Sequence, residues 1–354
     1  MKVADFDYDL PKELIAQEPL DRRDASRLLV LHRQTGAVEH RRFADLPSYM
    51  NEGDLLVFND SKVIRARLRG RRQTGGSLEV FLLRPVEGAV WEALVKPGRK
   101  ALPGTAVSFG PGFAGTVLEQ TTDGARLVRL ESSLPVEQAI ERWGAAPLPP
   151  YIKKRLDDPD RYQTVYAAEP GSVAAPTAGL HFTEEMIDAL RSAGAILQYV
   201  TLHVGLGTFR PVRVEEVERH VMHEEHYHVS PAVAAAIVTA RASGAAAGAP
   251  GAMVRARASR VIAVGTTVVR TLESAAREDG TVAEGEGWAS LFIFPGYRFR
   301  VTGAMLTNFH LPKSTLLMMV CAFAGRDKVM RAYGEAIEHR YRFFSFGDAM
   351  LVVD

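Results

Sequence analysis

Between Leu68 and Leu130 apolar and polar residues alternate in the short runs SLEVFLL, AVWEALV, TAVSF, FAGTVLE and ARLVRL, with Gly-Gly, Pro-Gly and Asp-Gly pairs between them. A period of two marks half-buried strands, and those dipeptides favour the tight turns that join strands into hairpins. Strands recurring without helical periods between them predict a small all-β barrel or sandwich, bounded near Lys62 and Pro150.

Beyond Pro147-Leu148-Pro149-Pro150-Tyr151 the pattern changes. Thr183 to Gly194 offers a Thr cap, acidic Glu184 and Glu185 in the first turn, apolar Met186, Ile187 and Leu190, and a closing glycine, which together predict a helix. Ile196 to Val204 and Arg260 to Val264 read as strands, and Ser230-Pro231 opens another helix. Leu316 to Phe323 predicts a buried helix and Asp327 to Arg340 an amphipathic one. Ser243 to Ser259 is Ala- and Gly-rich with no clear amphipathic period and reads as a surface loop. Near the N-terminus RLLVLHR and DLLVFND carry strand signals. Alternating strands and helices imply an α/β domain. The economical arrangement is one α/β domain made of residues 1–61 and 151–354, interrupted by a β module over 62–150.

Composition narrows the class. The chain has 354 residues, enough for two domains, and its 47% hydrophobic and 24% charged residues are the balance of an ordinary globular protein. The first residues are acidic and proline-containing, unlike an export signal, and the longest apolar run, Leu316 to Ala324, is far short of the roughly 20 residues that span a bilayer. The single cysteine, Cys321, lies in that run as a small buried hydrophobe, which fits a reducing cytoplasm. Net charge is only +1, so any nucleic-acid site must be local. Arg65, Arg67 and Arg69, with Arg71 and Arg72, are the clearest basic cluster; alternate arginines on a strand share one face, as a phosphate stripe or a plain solvated surface.

Chemistry concentrates in five segments, each with an ordinary alternative. His220 to His228, HVMHEEHYH, could place His220, His223 and His226 on one helix face as metal ligands, could bind a polar substrate, or could be solvated surface. HVGLGTF, 203–209, closes a strand with Gly205 and Gly207, whose backbone permits close ligand approach, although a tight turn explains it equally. APTAGLHFT, 175–183, sets Thr177, Gly179 and His181 before a helix N-terminus; His181 alone reads as a hydrogen-bonded structural imidazole. VGTTVVRTLES, 264–274, ends a strand at Thr266 and Thr267, while Arg270 and Glu273 have the spacing of a simple helix ion pair. TNFHLPKST, 307–315, holds Asn308, His310, Lys313, Ser314 and Thr315, where Ser314 or Thr315 could merely cap the next helix.

In order and identity these segments resemble the S-adenosylmethionine:tRNA ribosyltransferase-isomerase family of queuosine biosynthesis, as do DFDYDLPKELIAQEPL at 5–20, GDLLVFNDSKVIRARL at 53–68 and YRFFSFGDAM at 341–350. The resemblance implies a barrel-like α/β main domain interrupted by a small all-β barrel. It also implies the reaction: the ribosyl part of S-adenosylmethionine is moved to 7-aminomethyl-7-deazaguanine at the wobble position of a tRNA with a GUN anticodon and isomerised, with release of adenine and methionine. S-Adenosylmethionine is then a consumed substrate, and no metal or other cofactor is expected.

On that reading a base removes a proton beside the sulfonium and an acid assists adenine departure, tasks suited to histidine. The candidates are His181, His203 and His310, with Asp348 or Glu224 as supporting carboxylates. Backbone amides at Gly205 and Gly207, or Thr266 and Thr267, would stabilise the opened ribose oxygen. Thr177, Gly179, Thr208, Arg270, Asn308, Lys313, Ser314 and Thr315 complete the expected substrate contacts; Tyr297, Phe309 or Phe209 would stack on the base, and Arg65, Arg67 and Arg69 would meet phosphates. The expected protein is a cytoplasmic monomer. The main alternative is an S-adenosylmethionine-dependent tRNA methyltransferase, suggested by Gly205-Leu206-Gly207.

Overall fold

A computed structural model of the chain describes residues 1–121, 124–154, 156–205, 212, 214–247 and 259–354, without the side chains of 243–247. It divides into two compact units: Met1–Ser61, Pro150–Glu169 and Ala175–Asp354 form one, and Lys62–Pro149 with Pro170–Ala174 form the other.

In chain order the first strands are β1 (Arg27–His32), β2 (Val38–Arg42), β3 (Leu55–Asn59) and β4 (Ser61–Val63). Next come β5 (Arg67–Arg72), β6 (Ser77–Glu87), β7 (Val90–Lys96), β8 (Ala106–Gly110), β9 (Phe113–Gln120), β10 (Arg126–Ser132) and β11 (Gly144–Ala145). The later strands are β12 (Glu169–Ser172), β13 (Ile196–Leu202), β14 (Glu225–Val229), β15 (Val261–Val264), β16 (Gly285–Ala289), β17 (Ala304–Asn308) and β18 (Ala349–Val353). The helices are α1 (Val136–Trp143), α2 (Glu184–Ser192), α3 (Pro231–Ala247), α4 (Thr266–Ala275), α5 (Thr315–Ala324) and α6 (Arg326–Glu338).

The alternating runs of the smaller unit close on themselves. Strands pair in the order β5-β6-β7-β10-β9-β8, and β5 returns to β8 through Arg71 opposite Ser108 and Arg72 opposite Val107. Leu68, Val80, Leu82, Ala93, Val117 and Val128, one side of the alternation, are fully buried. This is the expected all-β barrel.

The larger unit is built on a nine-stranded sheet ordered β16-β14-β13-β3-β15-β17-β18-β1-β2. Strands β13, β3, β15 and β17 run parallel, whereas β18 and β1 run opposite to β17. The barrel-like closure expected of this unit is not what the sheet order gives: among the described residues β16 and β2 are its two edges. A mixed sheet that covers both faces with helices has no need to close.

Alternate residues of the central strands, Leu56 and Phe58, Ile262 and Val264, Leu28 and Val30, pack with Met186, Ile187 and Leu190 of α2 into one buried layer. Helices α3 and α4 pack on β13, β3 and β15 through residues outside that layer. Helix α2 begins as its sequence predicts, with the Thr183 hydroxyl accepting the Met186 N–H at 3.2 Å. The Ala/Gly-rich stretch expected to be a loop instead continues α3 as far as Ala247. Alanine's high helix propensity sustains it without an amphipathic period. Residues 248–258 lie outside the described ones.

Candidate active site at the strand ends

Because β13, β3, β15 and β17 are parallel, their C-terminal ends meet along one edge of the sheet. The starts of β18 and β1 fall on the same edge because those strands run the other way. His203, Asp60, Gly265 and Asn308 therefore stand side by side in strand order, with Asp348 and Ser26 beyond them. Ligands of open α/β sheets collect at such an edge.

Across the edge lies the turn Thr177–His181, in contact with the end of β17. Gly179 is required there, since a Cβ would sit 2.0 Å from the Tyr166 hydroxyl. Gly265 is required for a different reason: its φ of +97° and ψ of 152° belong to glycine alone, and this sharp exit from β15 starts α4 at Thr266.

His181 is 4% exposed and stacks on Phe43. The amide of Asn308 is oriented by its neighbours: its Oδ1 accepts from Thr177 Oγ1 at 3.0 Å and its Nδ2 donates to the Phe344 carbonyl at 3.3 Å. The same Nδ2 lies 3.1 Å from His181 Nε2, which therefore accepts, leaving the ring proton on Nδ1 to bond Ser26 Oγ at 2.8 Å. Burial, assisted by the Arg342 and Arg23 charges, pushes this imidazole down to about 3. Both its nitrogens are occupied and it is neutral at physiological pH. That is the structural imidazole, and it conflicts with the expected proton-transfer role.

His310 is similarly engaged: its Nε2 lies 2.8 Å from Thr307 Oγ1, its backbone N–H donates to the Tyr333 hydroxyl, and desolvation pulls its ring down to about 3. His203 differs. It is half-buried, its Nδ1 has no hydrogen-bond partner, and burial followed by the neighbouring His226 lowers its pKa. Buried unpartnered polar atoms also include Thr267 Oγ1, Arg270 Nε, Thr164 Oγ1 and the Tyr166 hydroxyl. Native proteins rarely strand buried polar groups, so His203 Nδ1 and Thr267 Oγ1, just past the ends of β13 and β15, are atoms for a ligand to satisfy.

Several expected roles are corrected. Glu224 is exposed, whereas its neighbour Glu225 is buried, pairs with the buried Arg270 guanidinium and accepts the Gly205 N–H at 2.9 Å. Gly205 therefore has no free amide for a developing oxyanion. Arg270 does not pair with Glu273, because it also donates to the Ala289 carbonyl at 2.6 Å. Glu273 instead binds the Tyr297 hydroxyl at 3.1 Å and the backbone N–H groups of Arg300, Val301 and Thr302, anchoring that loop. Asp348 is consumed by the backbone N–H groups of Arg27 and Arg342 at 2.9 and 2.8 Å and by the Arg27 guanidinium. Phe309 is fully buried among Tyr333, Tyr341 and Phe343, so it cannot reach a base.

Ser314 caps α5 through the Leu317 N–H, Thr315 opens that helix, and Lys313 pairs with Asp7 at 2.7 Å. Arg67 and Arg69 share the Glu79 carboxylate and Arg65 pairs with Glu141, so this stripe is partly neutralised. Gly207, Thr208 and Phe209 lie outside the described residues.

The histidine-rich segment does not form the helix that a shared metal-binding face would need. Its second half is strand β14, which points Glu225 and Tyr227 inward and His226 and His228 outward. The only convergent His/carboxylate group among the described residues is His40, Glu335 and His339, where His40 Nε2 bonds Glu335 at 2.9 Å and Nδ1 the Tyr341 hydroxyl at 2.9 Å.

Asp60 was missed by reasoning from the sequence. It follows β3 directly, is half-buried, accepts from Thr201 Oγ1 at 2.7 Å, and has no salt-bridge partner among the described residues; burial raises its pKa. A carboxylate lodged among apolar residues at the end of DLLVFND was the available signal.

The edge defines an α/β protein with a polar ligand site at its parallel strand ends, and comparison with known proteins identifies the family. Residues 3–352 match the family described as queuosine biosynthesis protein, and the chain belongs to it. A Symbiobacterium thermophilum protein named S-adenosylmethionine:tRNA ribosyltransferase-isomerase is 57% identical, with all of both chains covered. One of the same name from Acetivibrio thermocellus is 51% identical over 99% of this chain and all of the relative. The crystal structure of an S-adenosylmethionine tRNA ribosyltransferase from Thermotoga maritima is similar with a TM-score of 0.55 and 39% identity, covering 99% of this chain and all of that one.

Proposed function

We propose that this chain is an S-adenosylmethionine:tRNA ribosyltransferase-isomerase that works at the strand-end crevice, in the cytoplasm and as a monomer. Its substrates on this reading are S-adenosylmethionine and a GUN-anticodon tRNA bearing 7-aminomethyl-7-deazaguanine at the wobble position; its products are epoxyqueuosine-tRNA, adenine and methionine. The observation that carries the reading is the end-to-end match to relatives of that name, at 50–57% identity.

The geometry supports a division of labour. The sulfonium acidifies the adjacent ribose C5′, so the first step needs a proton acceptor. His203, with its unpartnered Nδ1 and lowered pKa, is the neutral imidazole suited to it. Thr267, whose hydroxyl also has no partner, donates to the opened ribose oxygen on this reading. His181 and Asn308 act at one remove, holding the Thr177 hydroxyl. No metal or redox cofactor enters this scheme, because the sulfonium supplies the leaving group.

The test is chromatographic: the protein is incubated with S-adenosylmethionine and tRNA carrying the deazaguanine. Free adenine and methionine are expected in step with the modified tRNA. Appearance of S-adenosylhomocysteine instead would make the protein a methyltransferase.

A further inference from the structure

The outward face of β14 belongs to the histidine-rich segment that the reaction scheme leaves unused. On this face His203 and His226 are cross-strand neighbours, joined by the His203 N–H donating to the His226 carbonyl, and His226 stands directly opposite Trp288 on β16. Cross-strand partners project to the same side of a sheet. The three rings form a row: His203 and His226 lie 6.3 Å apart with planes within 10°, and His226 and Trp288 lie 5.2 Å apart. Trp288 is 52% exposed on an edge strand, so its ring face is open to a stacking partner.

Beside this row runs a second, polar one. Thr201 pairs with His228 and bonds Asp60, and Glu169 acts electrostatically on both Asp60 and His203. An aromatic row that is half-buried at His203 and His226, exposed at Trp288 and flanked by carboxylates is poorly suited to phosphate. It suits a flat ring that carries a positive charge.

We propose that His203, His226 and Trp288 form a stacking platform for unstacked nucleobases of an RNA loop, with Asp60 as the specificity group that meets the cationic aminomethyl arm of the modified base. This rests on the tRNA reading above. Stacking on aromatic side chains is how proteins hold splayed single-stranded bases, and its π contact is indifferent to base identity. Discrimination must then come from a polar neighbour: the exposed Glu286 is engaged by His226 Nε2 at 3.6 Å, whereas the half-buried Asp60, held by Thr201 Oγ1, has no salt-bridge partner among the described residues.

The test uses the full chain and two anticodon stem-loop RNAs, one with guanine and one with 7-aminomethyl-7-deazaguanine at the wobble position. Trp288 fluorescence should be quenched by either RNA, and W288A and H226A should each raise Kd for both roughly tenfold, with W288F intermediate. D60N should bring the two RNAs to equal affinity while leaving Kd for the guanine form unchanged. Unchanged Kd for both RNAs in W288A and H226A, with unfolding curves like the native ones, overturns the platform; preserved discrimination in D60N overturns the role of Asp60. If the native protein releases adenine normally, either failure belongs to this inference alone; if it releases none, the proposed function itself has failed.

Discussion

Two polar regions share the carboxyl edge of the large sheet, and they differ in closure. Around His181 the network is complete: Ser26, Asn308, Thr177 and the Phe344 carbonyl account for the imidazole and amide atoms. Around His203, Thr267 and Arg270 buried atoms stand without partners. A closed buried network fixes geometry, whereas an open one awaits a ligand. Both regions come from equally distinctive sequence segments, so a segment's polarity does not reveal which kind of site it builds.

The largest expected effect tests the buried ion pair that anchors the open region. Arg270→Ala removes the guanidinium that pairs with the buried Glu225 carboxylate, and about 3–5 kcal/mol of stability should be lost in urea unfolding. A loss below about 1 kcal/mol would show that the pair is not the anchor inferred from its burial.

Next comes the contrast itself. His203→Ala should slow adenine release by roughly 10²- to 10⁴-fold with little change in the unfolding midpoint. His181→Ala should do the reverse, costing about 1–3 kcal/mol for the stranded Asn308 and Ser26 groups. If His181→Ala abolishes adenine release while remaining as stable as the native protein, the closed network is the catalytic one and the comparison is inverted.

The smallest effect is the one read across a single unit of pH. The unfolded His181 imidazole takes a proton near 6.5 while the folded one resists until about 3. Between those values the unfolded state binds more protons, so stability is full above about pH 6.5 and falls as the pH drops, by about 1.4 kcal/mol per unit for this one group. His181→Ala should flatten that part of the stability profile; an unaltered slope would mean that His181 is not held neutral.

The barrel was legible from the sequence because its signals are local: period-two alternation sets the inward residues, and Gly-containing turns set the hairpins. Helix α2 was legible for the same reason, through Thr183, Glu184 and Gly194. The continuation of α3 to Ala247 was not, because a helix built on alanine propensity leaves no amphipathic trace.

The sequence by itself determined which segments carry chemistry and, through their order, the family. It did not determine which atoms within them are free. Glu224 and Glu225 are indistinguishable as letters, yet Glu224 precedes β14 and is exposed while Glu225, the first residue of that strand, is buried against Arg270, which is contributed by a different element. His181, His203 and His310 each stand in a polar segment, and only the packing of strand ends separates His181 and His310, hydrogen-bonded through Nε2, from His203, whose Nδ1 is left open. Hydrogen-bond closure depends on partners distant in the chain, such as Ser26 for His181, and those partners meet only when the sheet has assembled.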